Sequence, residues 1–444
     1  MVKRSASGSA RRSGLDVSPA ATAARLERDI AAFARIGGER TPEGFWAVTR
    51  PALSEADRAA RAHLIKLMEG LGLAVRADPA GNVIGTWAAA GSAAGTAVGG
   101  AASEAGAAPV AVGSHLDSVP MGGRFDGVAG IVVGLEAVRR LRASGFEPAR
   151  PVELIDFTNE EGARFSPGLF GSQAMLGKFS PRALREMRDV DGRSMYAELV
   201  AAGYKPDHFE HRRPGDLAAY FEVHIEQAGV LESKGLPLGV VTGIAGPVYL
   251  EVTAEGRAAH AGATPMGLRR DAMTAAAEVI LQAEKIARAD SERVVATVGK
   301  LSVEPGAANV IPGRVRFTVD VRSIDAKARD KATSKIMAAA MKVGEARQVS
   351  IDAKQTSEFA PVILPEGMVG LLEGAAKAAG APFCRLPSGA AHDAMMMAQI
   401  APVGMLFVRS LGGVSHSPQE LTSYDDLALA AMVLERVLRE TAGR

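Results

Sequence analysis

Three runs in the first half of the chain decide the fold: PVAVGSHLD (residues 109–117), GVAGIVVGLEAVRRLRASG (127–145) and PVELIDFTNE (151–160). The outer two are short and apolar, as buried strands are, and the middle one is long enough for a helix. Strand, helix and strand in this order imply a parallel sheet, whose ligands bind beyond the carboxyl ends of its strands. The polar strings SHLD and TNEE stand at those ends, so the chemistry is expected there.

Toward the N-terminus, residues 22–73 hold two helical stretches separated by a loop. RAARAHLIKLMEGLGL (58–73) places Leu64, Leu67 and Leu71 on one helical face, and Gly70 and Gly72 mark its end. VRADPAGNVIGTW (75–87) reads as a hairpin, and the Gly/Ala/Ser-rich residues 88–109 are expected to form a mobile surface loop. Residues 1–19 are basic and Ser/Ala-rich but lack the apolar stretch of a secretory signal, and are expected to be a disordered tail.

Toward the C-terminus a second pattern begins. VYLEVTAEG (248–256), RDAMTAAAEVILQAEKIAR (270–288), RVVATVGKLSVEP (293–305), RVRFTVDVRS (314–323), ARDKATSKIMAAAMKVGEA (328–346) and QVSIDAKQ (348–355) read as strand, helix, strand, strand, helix, strand. This is the split βαβ, ferredoxin-like order. The main fold resumes with the helix MVGLLEGAAKAAG (368–380), the loop PSGAAHDAMMMA (387–398), the strand PVGMLFV (402–408), the loop GGVSHSPQE (412–420) and an amphipathic helix from Asp425. The expected organisation is therefore an α/β catalytic domain, residues 20–244 and 360–444, with an α+β domain inserted at 245–359.

Composition limits the function. The chain has 444 residues, 51 Lys+Arg against 50 Asp+Glu, a net charge of +1 and 47% hydrophobic residues. No basic excess exists to neutralise a phosphate backbone, and no apolar run reaches the roughly eighteen residues of a membrane helix. Neither nucleic acid nor membrane is expected as a partner. The single cysteine, Cys384, allows no intrachain disulfide and no Cys-rich zinc site, which suits the reducing cytoplasm.

Three of the eight histidines lie in short polar strings with carboxylates: GSHLDSVPMGGRFDG (113–127), VHIEQAG (223–229) and GVSHSPQE (413–420). His115 and Asp117 are two apart at a strand end and share a direction, so Asp117 is placed to hold the ring nitrogen turned away from a metal. Asp126 follows in a Gly-rich turn that can return it to His115. Glu160 and Glu161 are adjacent and must point differently, so one can bind while the other stays free as a base. Together His115, Asp126, Glu161, His224 and His416 supply three imidazoles and two carboxylates, a set that suits a pair of zinc, manganese or cobalt ions sharing one carboxylate.

The successive strings GSHLDSVPMGGRFDGVAGIVVGLEAV, DFTNEEGARF, VHIEQAGVLE, GRAAHAGATPM, NVIPGRVRFTVDVRS, SGAAHDA and GVSHSPQE resemble the signatures of the hydantoinase/carbamoylase-type amidases, in the same order, over about residues 40 to 425. The resemblance implies a zinc-hydrolase-like catalytic domain with a ferredoxin-like lid and dimerisation domain, and a homodimer. It implies two divalent ions bridged by Asp126, one completed by His115 and His224, the other by Glu161 and His416. Glu160 matches the catalytic base, and His224, where peptidase relatives carry a carboxylate, matches the amidase branch. His260, Asn309 and Arg322 fall on substrate-binding positions, with Gln227 from the catalytic domain. Arg322 offers a planar fork for a substrate carboxylate, and His260 also has a catalytic part as an oxyanion donor. The activity implied is hydrolysis of N-carbamoyl-L-amino acids to amino acid, carbon dioxide and ammonia. Hydrolysis of allantoate, ureidoglycolate or N-carbamoyl-β-alanine is the alternative within the same fold.

Departures from the family pattern are Ala228 and Gly229 in HIEQAG, Ala391 in SGAAHDA and Arg409 in FVRS. GSQAMLGK (171–178) fails as a phosphate loop because Phe179 follows the lysine, and Gly127, Gly130 and Gly134 fit helix–sheet packing and not a dinucleotide fingerprint. No G-x-S-x-G elbow exists, so nucleophilic serine catalysis has no support. Met395, Met396 and Met397 are expected in the core, and His63, His208 and His211 at the surface.

Overall fold

The computed structural model describes residues 15–91 and 107–444. Most of the expected tail and of the Gly/Ala-rich loop lie outside the described residues. Residues 15–19 do not belong to a tail: Ser18 caps the helix Pro19–Ala34, and the Asp16 and Val17 carbonyls accept from Arg25 and Arg140. The chain forms two compact units, one comprising the residues up to Thr242 with Leu364–Leu386 and His392–Arg444, the other Gly243–Ile363 with Pro387–Ala391.

In the first unit the parallel core of the sheet runs Val403–Val408, Ala219–Ile225, Val110–His115, Val152–Phe157. All residues of these four strands are buried. Strands buried along their whole length are strands covered on both faces. The hairpin Ala74–Ala77 and Val83–Trp87 extends one side antiparallel, and Leu238–Ile244 pairs antiparallel with Val403–Val408 on the other. The helix Val128–Ala143 crosses from Val110–His115 toward Val152–Phe157, as the sequence predicts. Its glycines let it lie close: a Cβ on Gly130 would collide with the Val223 carbonyl, and one on Gly134 would press Leu154 and Val112.

The helix Glu55–Gly70 differs from its expected face. Asp57, Ala60, Arg61, Leu64 and Met68 are buried, whereas Leu67 and Leu71 are only half-buried. An ion pair, Asp57 with Arg61, occupies the inward turn, so apolar spacing alone misplaced the stripe. Between this helix and Pro19–Ala34 the loop carries a small hairpin, Gly38–Arg40 with Trp46–Val48. His63 is also half-buried, edge-on to Phe33, while His208 and His211 are exposed as expected.

The second unit is an antiparallel sheet in which Arg314–Ser323 and Gly246–Glu255 are central and Ser350–Glu358 lies outside the latter. Residues 293–305 form two short strands, Val295–Thr297 and Leu301–Glu304, both paired with Arg314–Ser323, where one strand was expected. The spatial order is that of the split βαβ fold. Alternation is strict on the central strands: Val248, Leu250, Val252, Val315, Phe317, Val319 and Val321 pack under the helices Ala272–Arg288 and Ala326–Arg347. The opposite face carries Glu251, Glu255, Arg314 and Arg316.

Candidate metal centre

The carboxyl ends of the parallel strands deliver the charged residues. His115 closes its strand, Glu160 and Glu161 follow Val152–Phe157, His224 is the penultimate residue of Ala219–Ile225, and the loop after Val403–Val408 brings His416. One potential ligand atom from each of His115, Asp126 and His224 lies within 4.8 Å of the others, and the same holds for Asp126, Glu161 and His416. Asp126 belongs to both groups. The Nε2 atoms of His115 and His224 lie 3.6 Å and 3.1 Å from Asp126 Oδ1, and His416 Nε2 lies 3.4 Å from Asp126 Oδ2 and from Glu161 Oε2. Glu160 Oε2 is 3.6 Å from His115 Nε2.

The tautomers follow from the other ring nitrogens. His115 Nδ1 is 3.0 Å from the Asp117 carbonyl and His224 Nδ1 is 2.9 Å from the Ile225 carbonyl. A carbonyl only accepts, so each Nδ1 carries the proton and each Nε2 turns its lone pair toward Asp126, as metal-binding imidazoles do. The expected role of Asp117 is corrected here. Its carboxylate is 3.8 Å from His115, and its two oxygens instead accept from the Glu160 and Glu161 N–H groups at 3.0 Å and 3.2 Å. A backbone carbonyl holds the ring, and the side chain sets the turn that separates the two glutamates.

Strain accompanies this geometry. Asn159, Gln227 and His416 adopt positive φ angles of 54°, 60° and 55°, which non-glycine residues hold only where surroundings impose them. Gly127, φ 64°, sits where a Cβ would strike the His115 ring. Ala228 and Ala391 are not among the positive-φ residues, so the absence of glycine there imposes no backbone strain.

Burial and like charge set the protonation balance. Burial raises the Glu160 carboxyl well above its usual range, with His115 opposing and Asp393 and Glu161 reinforcing. Glu161 is pushed up to about 7 by burial and by Asp126. Burial would raise Asp126 as well, but the surrounding histidines, His224 first, hold it well below the usual carboxylate range. A hydrogen bond to Asp126 lifts His416 to about 9. Three carboxylates and three imidazoles thus converge with Glu161 Oε1 buried and without a hydrogen-bond partner. That donor set fits divalent cations with nitrogen and oxygen preference.

Gln227 Nε2 donates to Asp126 Oδ2 at 2.7 Å, which brings the expected substrate residue to the centre. His392 is buried with its ring 4.5 Å from that of His224, and its side chain does not cap the following helix. Met395, Met396 and Met397 are buried. Arg409 is half-buried and pairs with Asp426 at 2.7 Å, within the first turn of Tyr424–Ala442. In the second unit, His260 and Asn309 come together on a short ladder, where Asn309 O accepts from Ala261 N. His260 Nδ1 accepts from the N–H groups of Gly262 and Ala263 at 3.1 Å and 3.2 Å, so Nε2 carries the proton and is a donor.

Sequence reasoning missed several supports. Glu420 is buried, accepts from Phe125 N and Asp126 N, and binds Ser415, which itself donates to Asp126. Glu222 accepts from Ala394 N behind His224. Its position two residues before His224 on one strand was the available signal. Arg50 and Arg61, both buried, donate to the Leu116 and Phe157 carbonyls at the strand ends next to His115 and before Glu160, and nothing in their local sequence marks them.

Residues 111–440 match the family described as peptidase family M20/M25/M40. The chain is 43% identical over 420 residues to an N-carbamoyl-L-amino acid amidohydrolase of Geobacillus stearothermophilus, covering 94% of this chain and 98% of that protein. It is 38% identical to a ureidoglycolate hydrolase of Oryza sativa subsp. japonica, covering 92% and 82%. Among solved structures, a hydantoinase/carbamoylase family amidase from Burkholderia multivorans superimposes with a TM-score of 0.86 at 35% identity, covering 95% of this chain and 98% of that one.

Proposed function

Since the chain belongs to peptidase family M20/M25/M40, we propose that it is a metal-dependent amidohydrolase that cleaves the carbamoyl C–N bond of N-carbamoyl-L-amino acids, releasing amino acid, carbon dioxide and ammonia. The observation that carries this reading is the sharing of Asp126 between two ligand groups, with Glu160 beside them and outside both. The identity to the Geobacillus amidohydrolase over nearly both whole chains supports the substrate class. The rice ureidoglycolate hydrolase favours a second reading, ureidoglycolate or allantoate hydrolysis in the same site.

His115, Asp126 and His224 would hold one divalent cation and Asp126, Glu161 and His416 the second, with zinc, manganese or cobalt as the candidates. Such ions, when bound, supply Lewis acidity and make water acidic enough to lose a proton near neutral pH. Glu160 takes that proton, and its environment, which raises its carboxyl, suits it to hand the proton on to the departing nitrogen. His260, as an Nε2–H donor, stabilises the oxyanion, and Arg322 binds the substrate carboxylate, with Asn309 and Gln227 orienting the ligand. We place the enzyme in the cytoplasm as a homodimer. The lone, unpaired Cys384 supports the compartment, and no helix among the described residues is long and apolar enough to cross a membrane.

The test is ammonia release by metal-reconstituted enzyme against N-carbamoyl-L- and D-amino acids, N-carbamoyl-β-alanine, allantoate and ureidoglycolate. Preferential turnover of the L-carbamoyl compounds is expected. Turnover of allantoate or ureidoglycolate alone would replace it with the second reading, and light scattering tests the dimer.

A further inference from the structure

Arg322 is not an isolated cation. Asp320 and Arg322 lie two residues apart on Arg314–Ser323 and share the face opposite Val319 and Val321, which pack under the helices. Arg322 Nε donates to Asp320 Oδ1 at 3.0 Å and Nη2 to Oδ2 at 2.8 Å, a side-on fork. Nη1 donates to the Gly389 carbonyl at 2.9 Å. Asp320 and Gly389 thereby direct three of the five guanidinium N–H donors, and the Tyr249 side chain, on the neighbouring strand opposite Asp320, also interacts with the guanidinium, which leaves at least one N–H group for a ligand. The Arg322 side chain is still 30% exposed, so a small molecule can reach it.

We infer that Asp320 is a positioning residue for Arg322: by taking one side of the guanidinium it fixes the plane in which the remaining N–H groups meet a substrate carboxylate. The inference rests on the proposal that Arg322 is the carboxylate anchor. Exposed ion pairs contribute little because two long side chains must be immobilised for a screened attraction. This pair differs, since Asp320 is short, both oxygens are used, and a backbone carbonyl holds the third side. Asp320 also offsets the charge of Arg322, so recognition relies on the direction of the hydrogen bonds more than on net attraction. Arg314 and Glu255 form an ion pair on the same sheet at 40% and 50% exposure and provide an internal control.

The experiment compares Asp320→Ala, Asp320→Asn, Arg322→Ala, the double variant and Glu255→Ala in the holoenzyme. Each is assayed on the carboxylated ureido substrate that turns over best and on its neutral amide. For Asp320→Ala, KM for the carboxylate substrate should rise about tenfold with kcat within threefold, while kcat/KM for the amide stays put. Asp320→Asn, which keeps one acceptor, should fall between, the double variant should be no worse than Arg322→Ala, and Glu255→Ala should be silent. If Arg322→Ala raises KM and Asp320→Ala does not, the positioning role is overturned while the anchor survives. An unchanged KM in Arg322→Ala would remove the anchor itself. Equal losses on acid and amide, or a fall confined to kcat, would reduce Asp320 to a structural residue and overturn the inference.

Discussion

Replacing Arg61 by methionine tests how the strand end before Glu160 and Glu161 is held. Arg61 is buried at 3% exposure, 3.1 Å from Asp57 and 3.4 Å from Asp156. It donates to the carbonyls of Gly81 and Phe157 and to Thr158 Oγ1. Methionine fills much of the space but leaves two buried carboxylates without their cation. Breaking a buried pair from one side costs about 3–5 kcal/mol, because the abandoned charge stays desolvated. For a unit of this size that corresponds to a fall in Tm of roughly 5–8 °C. The loss should depend on pH. Burial raises Asp156 to about 7 even with Arg61 opposing, and without Arg61 it rises further. An unfolded aspartate titrates near about 3.9. Between these values the folded chain holds a proton that the unfolded chain does not, so stability declines as pH rises through the window. The Tm deficit of Arg61→Met should therefore be larger at pH 8 than at pH 5, and adding Asp156→Asn should recover part of it. Calorimetric melts at both pH values measure this directly. A deficit under about 2 °C, or one that shrinks as pH rises, would refute the reasoning.

Glu160→Gln should keep its metal content, since Glu160 lies outside both ligand groups, yet lose about 10²–10⁴-fold in turnover; elemental analysis with ammonia release checks both, and more than a tenth of parental activity would remove the base assignment. Chelation should lower Tm and re-addition of zinc, manganese or cobalt restore it, by about 2.7 kcal/mol at a hundredfold excess over Kd; a melt indifferent to metal would count against the centre. Gly127→Ala forces a Cβ toward the His115 ring at φ 64°, and should cost about 1–3 kcal/mol together with part of the metal occupancy. Equal melting and loading of that variant and its parent would show that the turn has room to spare.

The sheet was legible because its strands are read by composition alone. Runs such as Val110–His115 and Val152–Phe157 are mostly apolar and buried along their whole length, and the helix between them opens with the small and apolar residues Val128–Leu135, so neither depends on a subtle period. The helix Glu55–Gly70 shows where that method stops. Its inward face includes Asp57 and Arg61, and a reading that seeks leucines must turn the helix wrongly when an ion pair is what the core accepts. The residues 293–305 failed for a related reason: both halves have strand composition, and only pairing with Arg314–Ser323 separates them into two.

At the candidate centre, the ligand atoms come from residue types that spacing exposes, but their aim comes from atoms that no side-chain pattern records. Asp117 was read as the partner of His115 because the two share a strand-end direction. The structure gives that task to the Asp117 carbonyl and uses the carboxylate to hold Glu160 N and Glu161 N. One residue thereby serves the His115 tautomer through its main chain and the divergence of the two glutamates through its side chain, so a side-chain substitution separates the two tasks. Arg50 extends the same logic, since it grips the Leu116 carbonyl between His115 and Asp117 from a distant segment. A substitution at Asp117 should therefore be felt by Glu160 and Glu161 first and by His115 only through the backbone, the reverse of what the sequence spacing suggests. Asp117→Asn, which keeps a carbonyl oxygen but loses the second acceptor, should lower turnover more than metal occupancy. Comparable losses of both would mean that the side chain, and not the main chain, governs the ring.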